Sequence, residues 1–223
     1  MKKIIKFLCI FALIFINVYI HMFPYNKSLV DILIIIFTSI FCLLLGRESY
    51  CYKHDMIKYI VIYIFWNMNY LFFVKHLSTL DCFINTLLFK NVFIDILAVL
   101  AIGNILLYIF KLNKNLNILF SIIFIILYIL FNINVFIYVS IFLIGNILKL
   151  KDLIGVKGNF FKIMDNLNIG ILILHKLVLY LVLNSNFITP TISNFIGTIV
   201  LIYVVCTAIT FYVKAYPLIG DII

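Results

Sequence analysis

LNILFSIIFIILYILFNINVFIYVSIFLIGNIL, residues 116–148, carries no charged side chain and is broken near its middle only by Asn132 and Asn134. At ~1.5 Å per residue, an uninterrupted helix of this length would overrun the ~30 Å hydrocarbon core of a bilayer. The stretch therefore reads as two spans, 116–131 and 133–148, meeting at a polar turn. A single long tilted helix or a re-entrant pair is the other reading. The choice fixes whether the number of spans is even or odd, and with it the side on which the C-terminus lies.

Outward from this stretch, further apolar runs lie at 4–23, 29–45, 56–74, 92–110, 167–183 and 192–213. Of the residues, 66% are hydrophobic and 11% charged, against roughly half and a quarter in an ordinary soluble domain. A soluble globule could not hide that much apolar surface. The expectation is an all-α fold, a polytopic membrane helix bundle of about eight transmembrane helices forming a single transmembrane domain over residues 1–223. The lipid bilayer is its first partner, and the cell membrane, bacterial inner or plasma membrane, its expected location.

Positive charge is retained on the cytoplasmic side, and it decides between the readings of 116–148. With eight spans and a cytoplasmic N-terminus, the inner set is Lys2, Lys3, Lys6, Arg47, Lys53, Lys58, Lys111, Lys114, Lys149, Lys151, Lys157, Lys162 and Lys214. Only Lys27, Lys75, Lys90 and Lys176 remain of the 17 basic residues. Merging the two central spans would move Lys149, Lys151, Lys157 and Lys162 outside. Eight spans with both termini cytoplasmic follow. The net charge of +9 is thus a topology signal; basic residues on no single amphipathic face give no reason to expect nucleic acid.

Cysteines at 9, 42, 51, 82 and 206 form no C-x-x-C pair and no zinc-like cluster with histidine, so no metal site is expected. The start Met1-Lys2-Lys3 resembles a signal peptide, but His21, Phe23, Pro24 and Tyr25 stand where small residues would be cleaved. An uncleaved first span is expected. The 75–91 connection, with His76, Asp81 and Lys90, reads as an external loop. The 149–162 connection, basic and holding Gly155 and Gly158, reads as a cytoplasmic anchor, or a landing surface for an anionic ligand or lipid headgroups.

Ionisable groups inside spans are costly and mark candidate sites. His21 ends the first span and Asp31 opens the second, a short hairpin in which the carboxylate could orient the imidazole as a general base. His175 and Lys176 lie ~12 to 14 Å into the seventh span. Asp95, near the outer end of the fourth, has Asn104 further in, and Asn17, Asn67, Asn69 and Asn146 add amides able to bond between helices. No G-x-G-x-x-G, P-loop, G-x-S-x-G or H-E-x-x-H pattern is present.

The segment NIGILILH, 168–175, resembles the S-F-G-I-Y-L-x-H segment of the bacterial acyltransferase 3 family, membrane-bound O-acyltransferases that modify surface carbohydrates. Gly170, Ile171 and His175 match in place. FLIGNIL, 142–148, is similar to the family's F-x-x-G span before a basic inner loop, and FTSIF, 37–41, stands where the family has F-x-x-S-G-F, with Lys58 and the aromatic end around Trp66 following in order. The span ending in His21 resembles the family's first helix. Eleven positions before that histidine the family carries an arginine; here the residue is Ile10, with Lys6 one turn further back.

The resemblance implies transfer of an acyl group, commonly acetyl, from acyl-CoA as donor substrate to a hydroxyl of a surface or lipid-linked glycan, with no bound cofactor. His21 would take the acceptor's proton, Arg47, Lys58 and the basic loop would attract the donor's phosphates, and His175 with Lys176 would line the substrate cavity. The competing expectation is a membrane protein without chemistry, a permease subunit or scaffold.

Overall fold

Away from water a backbone can satisfy its own hydrogen bonds within a helix, so long apolar runs free of proline form helices, and the computed structural model of the chain is helical, apart from short turns and caps, over its described residues, 2–48, 53–73, 78–87, 95–110, 113–148, 159–184 and 190–214. Nine helices are described: α1 (Lys2–Met22), α2 (Lys27–Glu48), α3 (Lys53–Phe73), α4 (Thr79–Leu87), α5 (Asp95–Phe110), α6 (Lys114–Phe131), α7 (Asn134–Ile147), α8 (Asn159–Asn184) and α9 (Ile192–Lys214). Four stretches among them, Lys3–Met22, Lys27–Glu48, Lys114–Phe131 and Ile192–Lys214, are long and apolar enough to cross a membrane by length and composition. Asp95–Phe110, Asn134–Ile147 and Leu167–Leu183 are shorter apolar helices.

Polar residues set the helix ends. Asn113 caps α6, its side chain accepting from the backbone N–H groups of Asn115 and Leu116, and Asn132 closes the same helix in the left-handed conformation at φ 51°. Asparagine tolerates that conformation better than other side chains with a Cβ, so the 116–148 run turns there. It forms two helices, α6 and α7, packed on each other. Ser78 caps α4, accepting from Asp81 N at 3.2 Å while donating to the Asp81 carboxylate at 2.6 Å.

The chain divides into two compact units, Met1–Thr38 with Asp152–Ile223, and Ser39–Lys151. In the first, α1 and α9 run in opposite directions: Phe7 meets Tyr203, with ring centroids 5.7 Å apart, and Phe15 meets Phe195 at 5.0 Å. Residues 185–191 join α8 to α9, and the two helices pack as a hairpin. Both α1 and α8 are therefore antiparallel to α9 and parallel to each other.

In the second unit, helices approach through missing side chains. A Cβ on Gly46 would strike the backbone carbonyl of Phe142, and one on Gly145 would strike that of Leu43. The two glycines make a reciprocal contact between the C-terminal half of α2 and α7, the close approach that small residues permit between apolar helices. Asn146 reinforces it by donating to Gly46 O at 3.1 Å. The Phe142 ring, fully buried, fills the space above Gly103 of α5.

Within the 75–91 connection, expected to be a loop, residues Thr79–Leu87 form α4 packed on α3. Tyr63 donates to Thr86 O at 2.8 Å, and the Asn67 amide donates to Thr86 Oγ1 at 3.0 Å. Two polar groups of α3 thereby hold a helix too short to be stable alone. The expected loop residues His76 and Lys90 lie outside the described residues, as do 149–158 of the expected basic anchor.

These glycine contacts predict a distinction between two variants. Gly103→Ala should cost roughly 1–3 kcal/mol by overpacking, and Phe142→Leu in the same chain should recover part of the loss. Gly145→Ala meets backbone and should not be rescued. Thermal unfolding in detergent measures both.

Candidate functional site

The site with most chemistry lies between α1 and α8. On α1, Lys6, Ile10, Leu13 and Asn17 recur at spacings that place them on one face; Lys6 is 4% exposed and Ile10 fully buried. Asn17 uses both amide hydrogens, one to Leu13 O at 2.9 Å and one to His175 Nε2 at 3.2 Å. His175 is 2% exposed, and its Nδ1 bonds the Leu172 carbonyl of its own helix. A carbonyl can only accept, so Nδ1 carries the proton and Nε2 receives the Asn17 N–H. Both ring nitrogens of a deeply buried imidazole are satisfied.

One turn along α1, His21 is exposed, and its Nδ1 lies 2.7 Å from Asn17 O. The same reasoning makes it the donor there, leaving Nε2 as the acceptor on the exposed side. Asn17 thus serves both histidines through different groups: its backbone carbonyl holds His21 within α1, and only its side-chain amide joins α1 to α8, across 158 positions of sequence.

The His21–Asp31 pair expected from the sequence is not formed. Asp31 is exposed on α2, and among the described residues no hydrogen bond or ion pair joins it to His21. The physical reason is local: the carbonyl four residues back on α1 orients the imidazole without a second helix. Lys176 is half-buried beside His175. Arg47 and Lys58, both half-buried, belong to the other unit.

In that second unit, polar side chains bond between helices or back to their own. Asn117 bonds Asn146 at 3.5 Å, Ser121 bonds Asn117 O at 2.7 Å, and Asn104 returns to Leu100 O at 2.7 Å. Asp95, at the first turn of α5, lies within electrostatic reach of Cys42 and Tyr63. A carboxylate there complements the positive end of the helix. An open groove of about 540 Å³ runs between α3 and α4, lined by Val61, Ile64, Phe65, Met68, Asn69, Phe72, Thr79 and Cys82. It contains none of the expected site residues, and its lining is almost wholly apolar. Among the described residues no three His, Cys, Asp or Glu side chains converge to hold a metal ion.

The sequence singles out His21 and His175 and places Asn17 among the amides able to bond between helices, but does not name His175 as its partner. Asn17 stands four positions before His21, one helical turn, and that spacing was the available signal; its bond to His175 had none.

No protein-family model matches the chain, and no curated protein or solved structure is detectably similar to it.

The Asn17–His175 bond predicts an asymmetry between single and double variants. Asn17→Leu leaves a buried acceptor unpaired, costing about 1–3 kcal/mol, whereas replacing both partners by apolar groups can be nearly neutral. Thermal unfolding in detergent should show Asn17→Leu destabilised and Asn17→Leu/His175→Leu closer to wild type.

Proposed function

We propose that the chain is a multi-pass membrane O-acyltransferase with eight spans and both termini cytoplasmic, moving an acyl group from acyl-CoA to a hydroxyl of a surface or lipid-linked glycan. The observation that supports this reading is that Asn17 serves both histidines, its backbone carbonyl accepting from His21 and its side-chain amide bonding His175. The two histidines that the sequence resemblance singles out therefore stand one helical turn apart in height on neighbouring helices remote in sequence. His21 has the arrangement a general base needs: Nδ1–H fixed on a carbonyl, and Nε2 open on the exposed side.

In this mechanism His21 Nε2 removes the proton of the acceptor hydroxyl as its oxygen attacks the thioester carbonyl. The carbon–sulfur bond then breaks, and the departing CoA thiolate is protonated by the imidazolium, which restores neutral His21. Asn17 and His175 position α1 against α8.

One observation favours the second reading, a non-catalytic permease subunit or scaffold. The position at which the acyltransferases carry arginine is Ile10, fully buried in the helix interior. No charge is present there to assist an acyl donor.

Loss of a general base typically costs 10²- to 10⁴-fold in rate. At normal membrane abundance, His21→Ala should therefore abolish the acylated glycan in cells that depend on the protein, while Asp31→Asn, which touches no partner of His21, should leave it near wild type. Undiminished acylation in His21→Ala removes this residue from the chemistry, and the absence of any product dependent on the protein selects the non-catalytic reading. Reporter fusions after Lys53, Lys114 and Lys214 should all register cytoplasm; an external signal at Lys214 means an odd number of spans.

A further inference from the structure

Three buried polar groups of the first unit have no hydrogen-bond partner among the described residues: the amide of Asn168, at both its nitrogen and its oxygen, the Tyr203 hydroxyl and the Thr207 hydroxyl. Asn168 is 2% exposed. A polar group buried without partners is destabilising, so three such groups in one unit call for an explanation.

Two independent registers place them together. Asn17 bonds His175 between parallel helices; two turns back on each, Ile10 stands level with Asn168, on the same faces as the bonded pair. Tyr203 packs its ring on Phe7 and Phe11 of α1, at centroid distances of 5.7 and 6.3 Å, which brackets the same level. Thr207 follows Tyr203 by one turn and shares its face. Asn168 and Tyr203 therefore approach α1 from two different helices at the height of Ile10.

That height lies toward the end of the unit where charge collects. Asn168 follows Lys162 and Asp165 in sequence, Lys6 lies one turn before Ile10 on α1, and Lys214 ends α9 beyond Thr207. The groups carry no charge but offer both donors and acceptors, which suits water, a molecule that typically makes about three hydrogen bonds to otherwise unsatisfied buried groups. Between Asn168 and His175 the seam closes again, because Leu13, Ile14, Ile171 and Leu172 are buried and apolar.

We infer that Asn168, Tyr203 and Thr207 line a hydrated crevice that opens at the lysine-bearing end of α1, α8 and α9 and stops two helical turns short of His175. The crevice brings water into the first unit without wetting the His175–Asn17 bond. It does not depend on His21 acting as a base.

Cysteine accessibility tests it. In a background with the native cysteines replaced and a monodisperse gel-filtration profile, Asn168→Cys and Thr207→Cys should react with a small, charged, water-soluble methanethiosulfonate. Thiols held in apolar surroundings are inert, so the rate should exceed that of Ile171→Cys by roughly tenfold or more. Protection of either position to the level of Ile171→Cys overturns the crevice. A second measurement keeps the native cysteines. Asn168→Leu/Thr207→Val should not raise the unfolding temperature, since it removes groups that water satisfies; a clear rise means that the groups were dry and unpaired, and contradicts the inference.

Discussion

A bilayer offers a polar group no solvent, so each amide, hydroxyl or imidazole within an apolar helix must find its partner inside the protein. That constraint organises this chain. Some asparagines resolve it locally by donating to a carbonyl one turn back, as Asn17, Asn69, Asn85 and Asn104 do. Other amide hydrogens join helices. Asn17 reaches His175, and Asn146 reaches Gly46 O. The second kind of bond carries tertiary information, because lipid tails are as apolar as leucine and supply no hydrophobic force to select one helix pairing over another.

Where amides are absent, shape does the selecting. The reciprocal contact of Gly46 with Phe142 and of Gly145 with Leu43 lets two backbones approach to a distance no other residue allows, and Phe142 then occupies the volume left by Gly103. Aromatic rings take the corresponding part in the first unit, where Phe195 packs against Phe15, Tyr19 and Phe23. Each unit therefore has its own device for fixing helix register, one built on close approach and one on ring contacts with a buried hydrogen bond.

Much of the helical organisation was legible because apolar length is a local property. The break at Asn132 could be read from two amides in a charge-free run, and it falls where asparagine can take a left-handed turn. Helix α4 escaped reading because TLDCFINTL is short and carries Asp81, though the Ser78 to Asp81 spacing was a cap signal. The pairing of His21 with Asp31 was expected from proximity along the chain, whereas the imidazole is satisfied by its own helix. The opposite holds for His175: its partner lies 158 positions away, and no spacing in a sequence reports which distant helix will be adjacent. Tyr203 and Thr207 gave no signal at all, since hydroxyls are common in apolar helices and only burial without a partner sets these two apart.

α1 and α8 lie parallel with Asn17 level with His175, and thiol cross-linking tests that register directly. With the native cysteines replaced, Asn17→Cys/His175→Cys should be bridged by a short bis-methanethiosulfonate reagent, because the native side chains span that gap with their ends 3.2 Å apart. Asn17→Cys paired with Asn168→Cys, two turns out of register, should not. Efficient cross-linking of the mismatched pair with none at 17 and 175 would contradict the arrangement from which the Asn17–His175 bond, the candidate site and the hydrated crevice all follow.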